Sequence, residues 1–261
     1  MDRLRLFIIT DESIYYPDFI INFIKRTDDE IVGAIITKNS PSNVDFEKYL
    51  LTHFYCFKPS EFVELFRLKF TMKFKDMFSR DLKKEPFYSL KSVYNAFNID
   101  YFEIIDNVNR DINLEKIREK SPDIIINSSP YIFKKDILQI PKICCLNRHF
   151  SLLPSYRGLL GIFHALSNGE KYTGCSVHVM DKKIDHGPIL AQDKVEILKG
   201  DTLHSLHEKC FNIGVDTLVH AINKARRNDF SDVGNDVKSS YFSFPTLLQW
   251  REFRKKGRYI I

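Results

Sequence analysis

The sequence predicts an α/β domain in which a mostly parallel sheet is flanked by helices. Short apolar runs alternate with segments whose apolar residues recur at helical spacing, a pattern typical of consecutive strand and helix units. The 261 residues are 44% hydrophobic, with ten glycines and ten prolines. This composition argues against disorder, and the length suffices for one domain with a sizeable core and a short appendage. Polar residues also follow a central apolar run, where α/β proteins place their sites.

The chain begins with a predicted strand, helix and second strand. The strands are the apolar runs at residues 4–10 and 31–37, and the helix spans residues 17–25. Residues 11–13 read Asp-Glu-Ser and lack glycine, so no dinucleotide-binding fingerprint follows the first strand. This argues against a nicotinamide-dependent dehydrogenase.

Residues 45–98 form a less regular, mostly helical segment that is rich in phenylalanine. Five phenylalanines recur every fourth residue, with lysine and arginine between them: Phe62, Phe66, Phe70, Phe74 and Phe78. Ser60 is the predicted N-cap of this helix, and Ser89 opens a further one. The stripe fits either a core-facing helix, which we favour, or a basic amphipathic helix on a membrane or an anionic partner.

The middle of the chain continues the alternation. Strands are predicted at residues 101–105 and 124–126, with a helix at 114–120 between them, and a turn at 127–133 leads into a short helix. On its own this turn fits equally an ordinary strand-to-helix connection and a ligand-lining segment with exposed backbone donors and acceptors.

A polar stretch follows the predicted buried strand at residues 143–146. Asn147 and His149 emerge there two residues apart, so both side chains lie on one side if the backbone stays extended. A helix is then predicted at residues 161–166 and strands at 175–180 and 189–197. The turn between those strands contains Asp185.

The last part of the chain is predicted to be a long helix and a tail. Asp201 is expected to cap the helix, which runs to about Arg227, and the tail contains aromatic residues at 241–246. The aromatic side chains could stack on a nucleotide base or form the interface of a homodimer.

Three pieces of this sequence together resemble the folate-dependent formyltransferase family, which includes the sugar N-formyltransferases. They are Asn147-Arg148-His149, then Ser151-Leu152-Leu153-Pro154-Ser155-Tyr156-Arg157-Gly158, and later Asp185-His186-Gly187-Pro188. The resemblance implies a Rossmann-like fold with a small C-terminal extension. The corresponding division is a catalytic domain at residues 1–200, with the helical insertion at about 45–98, and a C-terminal helix and short tail at 201–261.

The resemblance also implies roles for individual residues. Asn147 would bind the formyl oxygen, His149 would share that contact and act as acid and base, and Asp185 would orient His149 and accept a proton. N10-formyltetrahydrofolate would be the formyl donor, and transfer would pass through a tetrahedral intermediate without a covalent enzyme adduct. The residues expected to contact the folate are Pro130, Tyr131, Ile132, Phe133, Leu146, Asp181 and Ile184. Without the resemblance, His149 is more often structural and Asp185 a turn former.

Family members differ mainly in the amine that they modify. We favour a nucleotide-linked amino sugar, because the phenylalanine-rich segment and the aromatic tail resemble sugar N-formyltransferases more than glycinamide ribonucleotide formyltransferase. Transfer RNA is disfavoured because no further β-barrel domain follows residue 197. The alternatives are formyl transfer to another small amine such as glycinamide ribonucleotide, formyl-folate hydrolysis, and a non-catalytic folate-binding relative.

Other sequence features indicate a reduced, cytoplasmic protein without a metal. There is no signal-peptide pattern or apolar run of membrane-spanning length, and the five cysteines show no Cys-x-x-Cys spacing. His204 and His207 lie three residues apart, but two ligands do not make a metal site. The net charge is +5, and the sequence contains no block of basic residues that would predict nucleic-acid binding.

Overall fold

The structure is a computed structural model that describes residues 3–38, 58–78, 86–234 and 237–261. The strands in this part of the chain are β1 (Arg5–Asp11), β2 (Glu30–Thr37), β3 (Tyr101–Ile104), β4 (Ile124–Ser128), β5 (Cys144–His149), β6 (Arg157–Gly158), β7 (Tyr172–Val179), β8 (Ile189–Glu196) and β9 (Tyr241–Phe242). The helices are α1 (Tyr16–Arg26), α2 (Pro59–Phe78), α3 (Leu90–Ala96), α4 (Asp111–Glu119), α5 (Lys135–Leu138), α6 (Gly161–Asn168), α7 (Leu203–Arg226) and α8 (Leu247–Lys255).

A seven-stranded sheet in the order β3-β2-β1-β4-β5-β7-β8 organises the fold. The five strands from β3 to β5 are parallel, and β7 and β8 continue the sheet in antiparallel pairing. The predicted mostly parallel sheet with flanking helices is therefore confirmed. The strand order reverses at β1, so a cleft forms beyond the carboxyl ends of β1, β4 and β5.

Alternating side chains of the central strands divide the core into two clusters, one on each face of the sheet. Leu6 and Ile8 of β1 belong to the larger cluster, which also contains residues of α1 and α7. Phe7 and Ile9 point the other way, into a cluster with residues of α4 and α5. Strands buried on both faces explain why the sequence shows near-continuous apolar runs there.

Two predicted helix caps are wrong. Ser60 lies inside α2, because Pro59 already occupies the first turn and the Glu61 carboxylate accepts a hydrogen bond from the Lys58 N–H at 2.9 Å. Asp201 precedes the cap of α7. The Thr202 hydroxyl takes that position, accepting from the Ser205 N–H at 3.1 Å. The predicted cap Ser89 is confirmed.

The predicted core-facing stripe of phenylalanines is exposed to solvent in the described residues. The exposed fractions are 53% for Phe62, 63% for Phe66, 58% for Phe70 and 50% for Phe74. The helix is instead attached through its first turn, where buried Glu61 pairs with Arg254 and accepts from the Ile260 N–H at 2.9 Å. The parts of the predicted insertion at residues 45–57 and 79–85 lie outside the described residues. Among the described helices, none combines the length and apolarity needed to cross a membrane.

The loop that follows β5 is fixed to the sheet by the fully buried hydroxyl of Ser176. This hydroxyl donates to the Ser151 carbonyl at 2.6 Å and accepts from the Leu153 N–H at 3.1 Å. Gln192 also donates to it at 2.8 Å. A single side chain of β7 therefore sets the position of the chain that leaves the site.

Replacing Ser176 with alanine should destabilise the protein by about 3 kcal/mol, because buried backbone groups of Ser151 and Leu153 lose their partner. Urea unfolding measures the change. Ser155→Ala is the control, since its hydroxyl makes a solvent-exposed bond to the Lys238 carbonyl, and it should cost less than about 1 kcal/mol. Equal costs for the two variants would contradict this account of the loop.

Candidate active site

A cavity of about 1260 Å³ opens beyond the carboxyl ends of β1, β4 and β5. Its wall combines the end of β5, the 127–133 turn after β4, the 180–185 turn after β7, and the C-terminal segment 243–247. These are the strand ends and connections that an α/β fold offers to ligands. Because single-ligand pockets commonly span about 300 to 1,000 Å³, this cavity has room for two ligands side by side.

The three predicted catalytic residues meet at this cavity. Asn147 and His149 belong to β5, whose backbone remains extended through both residues, as the predicted shared side requires. Asp185 lies between two imidazoles, with Oδ2 at 3.5 Å from His149 Nδ1 and Oδ1 at 3.4 Å from His178 Nε2. The Asp185 side chain is 10% exposed, so the three groups form a nearly dry cluster.

The carboxylate of Asp185 is held by donors from several segments. The Gly158 N–H donates to Oδ2 at 2.8 Å and the Asn147 amide donates to Oδ1 at 3.2 Å. Burial raises the pKa of Asp185, but His149, His178 and the Gly158 N–H outweigh burial and hold this pKa well below its ordinary value. The residue is therefore an anion at neutral pH despite its burial.

The amide of Asn147 has a fixed orientation. Its oxygen accepts from the Asn127 side chain at 3.3 Å, and its nitrogen lies 3.1 Å from His178 Nε2. His178 Nδ1 donates to the Val179 carbonyl at 2.9 Å, which fixes the orientation of the ring whose Nε2 faces Asn147 and Asp185. A ligand oxygen in the cavity must therefore compete for an N–H that the cluster already uses.

The ring of His149 faces an acceptor at each nitrogen. Nε2 donates to the Tyr156 carbonyl at 2.8 Å, and Nδ1 faces Asp185. An imidazole held beside a carboxylate and an amide can stabilise negative charge on a bound oxygen and can exchange a proton with a ligand.

Comparisons with known proteins show the family of the chain. A sequence model of the formyl transferase family matches residues 93–222, about half of the chain. The chain belongs to the formyl transferase family. Methionyl-tRNA formyltransferase of Kosmotoga olearia is 36% identical over 136 residues, which cover 52% of this chain and 43% of that protein.

Two solved structures share the formyl transferase fold at low sequence identity. Glycinamide ribonucleotide transformylase 1 from Symbiobacterium toebii is 19% identical with a TM-score of 0.59, covering 86% of this chain and 89% of its own. A sugar N-formyltransferase from a Shewanella species is 16% identical with a TM-score of 0.54, and the match covers 92% of this chain and 77% of that protein. The chain spans 37% to 53% of the length of the first curated relatives that it matches, all of which are methionyl-tRNA formyltransferases.

Most residues that the resemblance to formyl transferases assigns to the folate lie at the cavity. Those that line it are Pro130, Tyr131, Ile132, Phe133, Asp181 and Ile184. Leu146 is fully buried and belongs to the larger core cluster, since its side chain points to the opposite side of β5 from Asn147.

His178 is the member of the cluster that the sequence analysis did not single out. The antiparallel pairing of β5 with β7 places it directly opposite Asn147, and Ser176 opposite His149. The alternation of side chains along β7 places His178 on the same face as Ser176. Only the pairing register between β5 and β7 shows which residues of β5 lie opposite them. His207 also lines the cavity, and the described residues contain no group of three or more side chains suited to a metal.

The C-terminal tail lies beyond the region matched by the formyl transferase family model, yet it forms one wall of the cavity. Strand β9 pairs in parallel with β6, the Leu159 N–H donates to the Phe242 carbonyl at 2.9 Å, and Phe242 stacks on Tyr156 at 5.2 Å. Gly158 has a φ of +93°, and a Cβ there would lie 2.1 Å from the Phe242 carbonyl oxygen. The tail therefore packs directly on the segment that holds Asp185.

Gly158→Ala should displace the tail from β6, because its Cβ cannot fit against the Phe242 carbonyl. Hydrogen exchange of the Leu159 amide should accelerate, and the unfolding free energy should fall by more than the ~1 kcal/mol that a left-handed alanine costs alone. Gly169→Ala is a matched control, with a φ of +76° and nothing within 4 Å of its Cβ. Slow exchange at Leu159 in both variants would argue against the tail contact.

Asp11, at the end of β1 on the cavity wall, should make stability depend on pH. Burial raises its pKa from 3.8 to about 6, so the folded state binds a proton more tightly than the unfolded state. The stability of wild type relative to Asp11→Asn should be highest near pH 4. It should decrease by at most about 3 kcal/mol as the pH rises through 6. Urea unfolding at pH 4 to 8 measures this, and a pH-independent difference would contradict it.

Proposed function

We propose that this chain transfers the formyl group of N10-formyltetrahydrofolate to the amine of a nucleotide-linked amino sugar. The observation that carries the proposal is the convergence of Asn147, His149 and Asp185 at the edge of a cavity with room for two ligands. Membership of the formyl transferase family supports the same reaction class.

The three residues have complementary parts in this reaction. Negative charge develops on the formyl oxygen when the amine attacks, and the Asn147 amide with the His149 ring would stabilise it. The carboxylate of Asp185 lies 3.5 Å from His149 Nδ1 and would keep the ring in place. Asp185 would receive, directly or through one water, the proton that the attacking amine loses, and a proton would pass by way of His149 to the departing nitrogen as its bond to the formyl carbon breaks.

The wall formed by 130–133 and 181–184 is suited to hold the folate donor. Ile132 and Ile184 line the cavity while 45% and 41% exposed, so they present apolar surface that a flat heteroaromatic ring could cover. Asp181 and the backbone of the 130–133 turn supply polar partners for ring nitrogens. When bound, this donor would supply the activated formyl group.

The choice of an amino sugar rests on the tail. Tyr241 and Phe244 line the cavity beside the catalytic cluster, and aromatic side chains can stack on a nucleotide base. Glycinamide ribonucleotide is the second candidate, because the Symbiobacterium toebii transformylase matches this chain over 89% of its own length. We also propose that the catalytic domain ends at residue 200, that the protein is cytoplasmic and that it forms a homodimer.

Formyl transfer from N10-formyltetrahydrofolate should occur with at least one acceptor from a panel of nucleotide-linked amino sugars, glycinamide ribonucleotide and methionyl-tRNA. Asn147→Ala should lower kcat about 10²- to 10³-fold, and His149→Ala or Asp185→Asn about 10²- to 10⁴-fold. Product formation is followed by mass spectrometry.

The exposed residue His220 provides a control, and His220→Ala should retain wild-type turnover. Turnover with glycinamide ribonucleotide or methionyl-tRNA alone would exclude the amino-sugar acceptor while leaving formyl transfer intact. Formate release without any acceptor would indicate hydrolysis. No consumption of the donor under any condition would reject the proposed reaction.

A further inference from the structure

The Arg148 side chain lies on the opposite side of β5 from Asn147 and His149. Its guanidinium carbon is 3.8 Å from the ring centre of Phe19, 4.4 Å from Phe211, 4.5 Å from Phe150 and 5.4 Å from Tyr16. Arg148 is only 3% exposed. A positive charge is therefore enclosed by four aromatic rings, which we call the aromatic cage.

The guanidinium inside the aromatic cage lacks most of its hydrogen-bond partners. Nε donates to the Ser128 hydroxyl at 3.2 Å. Nη1 and Nη2 are buried and make no hydrogen bond of normal geometry among the described residues, although the Tyr16 hydroxyl, which donates to the Ser128 carbonyl, lies beside the guanidinium. Aromatic rings attract a cation without accepting its N–H groups in the geometry that an oxygen provides. An apolar side chain would fill the cage without leaving donors unpaired. The presence of an arginine there, with two unpaired nitrogens, therefore indicates a place where a ligand binds.

The recess around Arg148 opens toward the catalytic cavity. Asp11, Ser128, Arg148, Phe150 and His207 all line the cavity wall. Of the four caging rings, Phe150 is the one on this wall, and it is only half-buried. On the helix side, a Cβ at Gly214 would lie 3.3 Å from Nη1, so the glycine leaves space for the guanidinium. A ligand that displaces the Phe150 ring would reach Nη1 and Nη2.

We propose that Arg148 binds an oxyanion, a carboxylate or phosphoryl group, carried by the amine acceptor. The inference rests on the proposed function and adds an anion subsite next to the formyl-transfer centre. A guanidinium presents two parallel N–H groups that match two oxygens of such an anion. Asp11 supplies negative charge to the empty recess and, because burial raises its pKa to about 6, it takes up a proton readily when a second anion arrives.

Anion binding can be tested without folate or amine. Isothermal titration with inorganic phosphate and, separately, with acetate would compare wild type with Arg148→Met, Arg148→Lys and Arg67→Met. Arg67 is a 74% exposed cation on α2, so its replacement controls for the change in net charge. Thermal unfolding without anion would show whether each variant folds.

We expect one of the two anions to bind wild type and Arg67→Met alike, and to bind Arg148→Met at least ~10-fold more weakly. Arg148→Lys should also lose affinity, because a single ammonium cannot pair with two oxygens. Arg148→Met should unfold at the same temperature as wild type or higher, whereas a structural arginine would make it less stable. The responding anion identifies the phosphoryl or the carboxyl source.

Equal affinity of wild type and Arg148→Met, or no binding of either anion by wild type, would overturn the inference. If Arg148→Met does not fold, Arg148→Lys decides: reduced affinity supports the subsite, and unchanged affinity rejects it. Because these titrations involve no formyl transfer, failure of the anion subsite and failure of the proposed reaction remain distinguishable.

Discussion

The buried carboxylate of Asp185 is the interaction on which the site depends. A charged group at 10% exposure is tolerated only if donors replace the water that it loses. Here the donors come from β5, from β7 and from the Gly158 backbone, so one side chain joins three segments that are distant in sequence. Its φ of +48° shows that the turn also adopts a sparsely populated backbone conformation to deliver it.

The need to hold Asp185 connects the catalytic centre to the C-terminal tail. The Gly158 N–H donates to Asp185, and Gly158 is also paired with Phe242 of β9. One edge of this short strand therefore serves the site, and the opposite edge receives the tail. The tail then continues as the cavity wall at residues 243–247. Side chains of the tail that line the cavity can therefore vary while the contacts of Asp185 stay unchanged.

The strands could be predicted because each has a local signal, whereas the three clustered residues are predicted from the resemblance to formyl transferases, and only the shared side of Asn147 and His149 has a local basis. Buried parallel strands appear as apolar runs, and Asn147 and His149 are two apart on one strand. The part played by His178 depends on the register between β5 and β7, which no local pattern encodes. The exposed stripe at Phe62, Phe66, Phe70 and Phe74 shows the opposite case, since helical periodicity reveals a face but not whether that face is covered.

If Arg148 holds an anionic group of the acceptor, as proposed, the alternation of side chains along β5 also constrains the acceptor. Asn147 and His149 project to one side of the strand and Arg148 to the other, so one ligand reaches both only by passing around the end of β5 at Phe150. Successive side chains of a strand point to opposite faces of the sheet, so their polar ends lie farther apart than their Cα atoms. An amine and an oxyanion on one small molecule such as an amino acid are too close together to bridge that distance. An extended acceptor, with its amine well separated from a phosphoryl group, matches this spacing, as a nucleotide-linked amino sugar would.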